Sequence, residues 1–338
     1  MENKRLITAG CLFIECLAAA VAAENDSTGC RIVSGEIYTE VNHGHRYYGA
    51  ERTVWDFPHV VAAATLTLGR GWSFEAEIEY ERIHEDGEWC NDLRNNFTSN
   101  KLYLARQWDS GTTVKAGIID VPLGITNAGG TALTIYDPES EALIMPMTWH
   151  EGGVAVCREQ GRLAWSVSAL AYSDFTAAGT IVLGGAATAD YRPVEGMRIG
   201  IGGYYGRARH SMMRTVSDGA YDNSRTAYGV LSADYSDCGV AASGSLIYRS
   251  CDGARSLGAE AGYDVGGALT AGRFAAMPFV RYDHVAHTAC TDMDKLTFGI
   301  NISPLNNLTV KAEYGMRKYC GCDTERSIDI GVGYSIAF

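Results

Sequence analysis

The last twelve residues of the chain, 327–338, alternate without a break between apolar side chains and small or polar ones. The apolar set consists of Ile328, Ile330, Val332, Tyr334, Ile336 and Phe338. Successive side chains of a β-strand point to opposite faces, so this pattern predicts a strand with one continuous apolar surface. Such a surface must be covered by a protein core or by lipid, and this requirement restricts the folds that are open to the chain.

The same period of two recurs along nearly the whole chain, in sixteen candidate strands bounded by Gly, Asn, Asp, Ser or Pro. The third candidate, 72–82, shows the pattern most clearly, because its apolar face runs from Trp72 to Tyr80. The opposite face carries Glu75, Glu77, Glu79 and Glu81. Four carboxylates in one column require water. The strand number is even, as in bacterial single-chain barrels, whereas a lipocalin-like barrel needs only about eight strands.

The connections between the candidate strands alternate in length. Short connections with turn residues lie at 69–71, 109–111, 159–161, 193–195 and 304–306, and the long ones are 42–57, 83–98, 121–147 and 207–224. Short periplasmic turns and long outer loops are typical of transmembrane barrels. A soluble sandwich would have to pair sixteen apolar faces into a closed core. The pattern therefore predicts an all-β, transmembrane antiparallel β-barrel of about 16 strands.

The N-terminus has the features of a secretory signal peptide over residues 1–23, with Lys4 and Arg5 preceding an apolar run. The remaining residues, 24–338, are predicted to form the barrel domain, with the bacterial outer membrane as its location. No other stretch approaches the roughly 20 apolar residues that a membrane helix needs. The formal net charge of −12 argues against a nucleic-acid partner, because phosphate binding requires clustered Lys and Arg.

Eight cysteines follow the predicted signal peptide, and export permits disulfides without indicating whether they form. Cys320 and Cys322 lack the two-residue spacing of zinc knuckles, and no second pair follows them. We therefore predict neither a metal nor a cofactor.

Charged residues on the polar faces separate by sign, since the acidic column 75–81 lies on one strand and the basic residues lie on others. The basic candidates for the pore lining are Lys101, Lys115, Arg198, Arg249, Arg281, Lys295, Lys311 and Arg317. Walls of opposite charge would set up a transverse field inside a water-filled lumen. Alternatively, these charges serve only to keep the lumen hydrated.

The connection after the fifth strand, 121–147, is too long for a hairpin turn and contains apolar residues that suit a packed position. We predict that it folds into the barrel and forms a constriction loop. The acidic residues assigned to this constriction are Asp120, Asp137, Glu139 and Glu141, facing Arg281 and Lys311. The alternative is an ordinary external loop.

Several short motifs between Ile118 and Val156 carry a resemblance to a known family. They include GITN at 124–127, YDPE at 136–139 and MPMTWHEGGV at 145–154. This segment resembles porins of Bacteroidetes-type bacteria that are related to the phosphate-selective porin O/P family. The resemblance implies a sixteen-stranded, trimeric diffusion channel. Phosphate selectivity in that family depends on arginines and a basic constriction, so the acidic residues of this loop argue against carrying it over.

These observations predict an outer-membrane porin, a passive diffusion channel for small hydrophilic solutes and ions, and not an enzyme. Its expected partners are outer-membrane lipid, the barrel assembly machinery, small polar solutes and two further copies in a homotrimer. A terminal strand that ends in Phe338 resembles the strand which that machinery reads. The alternatives are a barrel with an adhesin or structural role and a phospholipase-like enzyme. Trp149, His150 and Glu151 lack the nucleophile motif that an enzyme of that kind needs.

Overall fold

The computed structural model describes residues 31–48, 50–90, 97–130, 132–171, 183–206, 225–270, 274–286 and 292–338. The predicted signal peptide and the predicted connection 207–224 lie outside these residues. The strands are β1 (Arg31–Tyr48), β2 (Ala50–Gly69), β3 (Trp72–Glu85), β4 (Glu88–Trp89), β5 (Phe97–Gln107), β6 (Thr112–Asp120), β7 (His150–Gln160), β8 (Leu163–Ala171), β9 (Leu183–Tyr191), β10 (Met197–Gly206), β11 (Thr226–Asp237), β12 (Val240–Arg249), β13 (Arg255–Tyr263), β14 (Ala275–Ala286), β15 (Met293–Leu305), β16 (Leu308–Tyr319) and β17 (Thr324–Ala337).

All strands belong to one antiparallel sheet that closes on itself. β1 pairs with β2 on one side and with β17 on the other, in a register that runs from Glu36 opposite Ala337 to Tyr47 opposite Arg326. β4 is a two-residue extension that pairs with the outer end of β3, so sixteen strands form the barrel wall. The predicted all-β barrel of sixteen antiparallel strands is confirmed.

Two short helices accompany the described strands, α1 (Glu139–Ala142) between β6 and β7 and α2 (Val265–Thr270) between β13 and β14. Neither has the length and apolar character that a helix needs to cross a membrane.

The outer surface of the barrel is apolar, and the inner surface carries the charged residues. On β17 the predicted apolar residues are exposed, with Ile330 at 49% exposure, whereas Asp329 between them is 3% exposed. On β14, Val280 and Tyr282 face outward, while Arg281 is buried. This arrangement is the reverse of a soluble protein, and it confirms the facing that the alternation predicts.

The predicted long connection 42–57 is wrong, because these residues continue the first two strands. β1 extends to Tyr48 and β2 begins at Ala50, and the two remain paired to their ends. Asn42 and Asp56 are buried on the inner face, where polar residues are compatible with a strand. Irregularities in the pairing between Glu40 and Asn42 and between Asp56 and His59 interrupt the simple alternation. A strand with many polar residues and an interrupted alternation therefore resembles a loop when only the sequence is considered.

A hydrophobic cluster fills part of the interior. One part of the cluster comes from the end of β6 and the connection between β6 and β7, namely Ile119, Val121, Leu123, Ile144, Met145 and Trp149. These residues pack with wall residues, which include Tyr103, Tyr204, Tyr228, Val230 and Ile247. The ring centroids of Trp149 and Tyr204 are 4.7 Å apart. The connection thus packs against the inner face of strands from β5 to β12, and this side of the barrel is occupied by side chains.

The chain terminus closes the seam between β1 and β17, which generates a test of barrel closure. The backbone N–H of Gly35 donates to the carbonyl of Phe338 at 2.8 Å, and the N–H of Phe338 donates to the carbonyl of Gly35 at 3.0 Å. A Cβ atom on Gly35 would lie 2.3 Å from the ring of Phe338. We therefore expect Gly35→Val to destabilise the barrel by about 1–3 kcal/mol through overpacking, and Phe338→Asp to reduce membrane insertion.

The measurement is the fraction of heat-modifiable protein on unboiled gels and its midpoint temperature of unfolding. Gly229→Val is the matched control, because Gly229 also faces outward and no atom lies within 4 Å of its added Cβ. Equal midpoints for the two valine variants would contradict the proposed seam contact, and normal insertion of Phe338→Asp would contradict the role of the terminal ring.

Candidate functional site

Residues 121–149, which we call the lumen segment, connect β6 to β7 and are bonded to side chains on the inner face of distant strands. Three backbone N–H groups of the segment donate to wall carboxylates. The N–H of Leu133 donates to Glu260 at 3.1 Å, and that of Ile135 donates to Glu313 at 2.9 Å. The N–H of Ser140 donates to Asp283 at 3.2 Å. Charge-assisted hydrogen bonds of this kind are stronger than neutral ones, so they fix the segment against β13, β14 and β16.

Wall side chains also donate to backbone carbonyls of the lumen segment. Arg249 Nη1 donates to the carbonyl of Ile144 at 2.7 Å, and Lys311 Nζ donates to that of Thr134 at 2.9 Å. Asn301 Nδ2 donates to the carbonyl of Leu133 at 2.9 Å. The segment is irregular, and these bonds satisfy backbone groups that would otherwise lack partners.

Arg281 lies at the centre of this contact. Its guanidinium pairs with Glu260 at 3.1 Å and Asp283 at 2.8 Å, and Nη2 donates to Ser140 Oγ at 3.1 Å. The side chains of Arg281, Glu260 and Asp283 are at most 3% exposed. Buried charges are tolerated only when they are paired, and each of these is. Arg281 therefore serves as an anchor beneath the segment and is sealed from solvent.

The acidic residues assigned to the constriction lie in four different environments. Glu139 pairs with Lys295 at 2.9 Å and Arg317 at 3.1 Å, and not with Arg281 and Lys311 as predicted. Burial opposes ionisation of Glu139, but these two cations hold its pKa below the usual range. Its carboxylate consequently joins the segment to β15 and β16 by an ion pair.

Glu141 does not project into the channel. It is fully buried and accepts the backbone N–H groups of Ile125 at 2.8 Å and Thr126 at 3.0 Å. Asp120 is the last residue of β6 and lies 3.6 Å from Lys115, so it belongs to the wall and not to the segment. Asp137 is exposed inside the barrel. Of the four residues, Asp137 is thus the one that presents an open carboxylate.

A cavity of about 480 Å³ lies between the lumen segment and the strands β1–β3 and β15–β17. Its charged lining is acidic on β1–β3, apart from one histidine, and mixed on β15–β17. The charged residues of β1–β3 that line it are Glu40, Asp56, His59, Glu79 and Glu81, and those of β15–β17 are Lys295, Arg317, Glu325, Arg326 and Asp329. Tyr136 and Asp137 line it from the segment. Apolar residues pack the side of the interior next to β5–β12, whereas charged residues line this cavity.

The predicted acidic column on β3 enters the cavity with only two of its members. Glu79 and Glu81 line the cavity, whereas Glu77 pairs with Lys101 at 2.7 Å. Glu75 accepts a hydrogen bond from the hydroxyl of Tyr103. The column therefore changes from paired carboxylates at one end to cavity-lining ones at the other.

Two further basic candidates, Arg198 and Lys115, lie on wall strands and are not part of the lining of this cavity. Arg198 pairs with Asp190 at 2.9 Å and with Asp234 at 2.5 Å, and its Nη2 lies 3.4 Å from the carbonyl of Gly124. Lys115 lies over the ring of Tyr103 at 4.7 Å. Both are thus held by partners on neighbouring strands or in the lumen segment.

Several charged residues of the cavity lining were not among the predicted site residues, and three of them, Glu40, Asp56 and His59, lie together on β1 and β2. His59 contacts Glu40 at 2.9 Å, Asp56 at 3.1 Å and Glu79 at 2.8 Å. Glu40 and Asn42 have the spacing of two that places them on one face of β1, and this signal could have identified them. Asp56 lies within the predicted connection 42–57, where the sequence pattern assigns no strand face.

The sequence matches no protein-family model. It is similar to no curated protein either. Its fold is similar to OprB of Pseudomonas putida, with a TM-score of 0.64 and 12% identity over 91% of this chain and 94% of that one. It is also similar to an anion-selective porin from Comamonas acidovorans, with a TM-score of 0.61 and 12% identity over 91% and 100% of the chains. OmpF of Salmonella typhi has a TM-score of 0.61 and 13% identity over 92% and 99%. These likenesses establish a porin fold.

The ion pairs of Glu139 generate a test of how the lumen segment is held. We expect Glu139→Gln to loosen the segment, because it leaves Lys295 without its partner while Arg317 keeps Glu325 at 2.7 Å. Loss of one partner of a buried pair costs about 3–5 kcal/mol. Hydrogen exchange of amides in 133–144 should accelerate. Glu159→Gln is the control, since it removes a pair with Arg192 that is exposed. Identical exchange in both variants would contradict this anchoring.

Proposed function

We propose that the chain is an outer-membrane porin, through which small hydrophilic solutes and ions diffuse passively. The observation that carries this proposal is a charged cavity inside a closed barrel whose outward surface is apolar. An apolar outer band suits lipid, because a closed barrel leaves no backbone group of the wall unpaired in the hydrocarbon layer. Outer-membrane location follows from this architecture together with the predicted export signal.

The lumen segment supports a constricted and not a wide channel. Its apolar residues fill the interior next to β5–β12, and its polar contacts reach β13–β16. Solutes would therefore pass along the side lined by β1–β3 and β15–β17. In this arrangement the width of the path depends on Tyr136, Asp137 and the wall charges that face them.

The charge of the cavity supports a preference for cations. Its lining contains eight carboxylates, Glu40, Asp56, Glu79, Glu81, Asp137, Glu139, Glu325 and Asp329, against Lys295, Arg317 and Arg326, with His59 in addition. A low-dielectric wall focuses the field of such an excess into the pore. The acidic residues of β1–β3, facing Lys295 of β15 and Arg317 of β16, would set up a field that orients dipolar solutes as they pass.

We also infer a relationship to the phosphate-selective porin O/P family, on the strength of the motifs between residues 118 and 156. These motifs contribute to the lumen segment and its contacts: Trp149 is in the hydrophobic cluster, and Asn127 accepts its backbone N–H at 2.9 Å. Phosphate is not the proposed solute, because Asp137 and the carboxylates of β1–β3 would repel it. We therefore assign to these motifs a structural role in positioning the lumen segment and no role in selecting the solute.

The proposed partners are lipid on the apolar outer face, small polar solutes in the lumen, the barrel assembly machinery at the terminal strand and two further copies in a homotrimer. An enzymatic role is not proposed. Both ring nitrogens of His59 contact carboxylates instead of a hydroxyl or thiol nucleophile, so its geometry does not suit nucleophilic catalysis.

Deletion of residues 128–142 tests the constriction. The deletion removes α1 and the contacts of Leu133, Ile135 and Glu139 with the wall, and we expect single-channel conductance in planar bilayers to rise. Asp137→Asn should keep the conductance close to the original value but shift the reversal potential in a salt gradient towards anions. If the deletion protein assembles as a heat-modifiable barrel with unchanged conductance and reversal potential, the segment does not limit the path.

Asp137 provides a pH test of the same assignment. Although its side chain is exposed to the cavity, enclosure by protein reduces its hydration, and this loss, with Glu141, Glu79 and Glu40 nearby, raises the pKa of Asp137 to about 6. A raised pKa means that the carboxylate becomes neutral as the pH falls through this value. We therefore expect cation preference to decrease from about pH 7 to about pH 5, with a smaller decrease in Asp137→Asn. The same pH profile in both proteins would contradict this role.

A further inference from the structure

We propose that Glu40, Asp56 and His59 form a binding site for a first-row divalent transition-metal ion on the inner wall of the barrel. His59 Nδ1 lies 2.9 Å from Glu40 Oε1 and 3.1 Å from Asp56 Oδ2. One donor atom from each residue lies within 4.8 Å of the other two. Separations of this size between donor atoms are compatible with one shared ion, since metal–ligand bonds to nitrogen and oxygen measure about 2.0–2.2 Å.

An irregularity in β2 brings Asp56 and His59 to the same face. Residues three apart in a regular strand point to opposite faces. The pairing of β2 with β3 shifts between Asp56 and His59, as does the pairing of β1 with β2 between Glu40 and Asn42. A bulge redirects a side chain in this way, and it converts two residues that would diverge into a convergent pair.

The hydrogen bond at the other ring nitrogen favours a metal ligand at Nδ1. His59 Nε2 lies 2.8 Å from Glu79 Oε1, and Asn100 Nδ2 donates to Glu79 Oε2 at 2.8 Å. An ionised carboxylate is only an acceptor, so Nε2 carries a hydrogen. With a metal ion bound, Nδ1 would present its lone pair to the ion that Glu40 and Asp56 share. A histidine oriented by a carboxylate in this manner is the usual arrangement behind a metal ligand.

The two carboxylates are themselves held in position. Asn42 Nδ2 donates to Glu40 Oε1 at 2.9 Å and to Asp56 Oδ2 at 3.0 Å, and the hydroxyl of Tyr38 donates to Glu40 Oε2 at 2.5 Å. In the described part of the chain, no lysine or arginine forms an ion pair with Glu40 or Asp56. A cation bound between the three donor atoms would offset the repulsion between the two carboxylates.

A second observation points to a ligand. Asp56 is only 4% exposed, and its Oδ1 is buried without a hydrogen-bond partner among the described residues. A buried carboxylate oxygen without a partner is costly, and a cation bound by both oxygens of Asp56 would supply that partner. Asp56 borders the cavity of about 480 Å³, which offers an entry path from the lumen. One imidazole and two carboxylates suit Zn²⁺, Fe²⁺, Mn²⁺ or Co²⁺ better than Ca²⁺, which prefers oxygen ligands alone.

The rival occupant is a proton on Nδ1, which would make His59 a histidinium shared by Glu40, Asp56 and Glu79. Both occupants neutralise part of the acidic cluster. They differ in that Co²⁺ bound to His59 would absorb visible light, whereas a protonated His59 would not. The test uses the full chain in detergent after treatment with a chelator. We expect Co²⁺ to bind at one site per chain, with saturable visible absorption bands that report nitrogen and oxygen ligands.

Three variants and one control locate the site. His59→Gln and Asp56→Asn should abolish the bands, because each removes a ligand. Glu79→Gln should weaken binding roughly 10- to 100-fold, as expected when the partner of a metal-bound histidine is removed. His284→Gln is the matched control and should bind Co²⁺ normally, since His284 also contacts a carboxylate, Asp294, at 2.9 Å but is exposed. Heat-modifiable mobility on unboiled gels verifies that each variant is assembled.

Absence of saturable binding in the unmodified chain would assign a proton to His59 and overturn the proposal. Unchanged bands in assembled His59→Gln or Asp56→Asn would overturn it equally, because the metal would lie elsewhere. If His59→Gln does not assemble, Asp56→Asn and Glu79→Gln decide the question in the same way. The binding measurement does not depend on the proposed channel function, since conductance measured in chelator tests that function separately.

Discussion

In a hydrocarbon layer, every backbone N–H and C=O group of the wall must find its partner inside the protein, and the rest of this structure depends on that constraint. The pairing of β1 with β17 satisfies it by leaving the sheet without an open edge. Closure reverses the ordinary distribution of side chains, because the outer face is apolar and the polar residues lie inside. The terminal carbonyl and N–H of Phe338 take part in this closure through Gly35.

The interior of a closed barrel of sixteen strands is too wide to be filled by the side chains of the wall alone. The lumen segment occupies part of this space in two chemically different ways. Against β5–β12 it buries apolar residues such as Met145 and Trp149. Against β13–β16 its backbone N–H groups donate to wall carboxylates, and its carbonyl groups accept hydrogen bonds from wall side chains such as Lys311. Arg281, paired with Glu260 and Asp283, shows how charges that face water in an empty barrel become structural once they are covered.

The part of the interior that the segment leaves uncovered contains an excess of carboxylates on β1–β3. Mutual repulsion among Glu40, Asp56 and Glu79 is reduced by donors of the wall, namely Asn42, Asn100 and the ring of His59. The same cluster that would favour cations in transit therefore has the geometry to retain one. On the neighbouring strands β15 and β16, Lys295 and Arg317 bind Glu139 and thereby fix the segment.

The sequence by itself determined the closed β architecture and the facing of most strands, because alternation is a local property that each strand displays on its own, as β17 and the glutamate column of β3 do. It failed at 42–57, since polar inner-face residues and two irregularities in pairing resemble a loop. Only the tertiary structure decided the partners across the lumen. Glu139 meets Lys295 and Arg317, which are 156 and 178 residues away, and Asp56 meets His59 through a bulge. Distances around a closed wall depend on register and on the path of the segment, and neither is encoded in the alternation of any one strand.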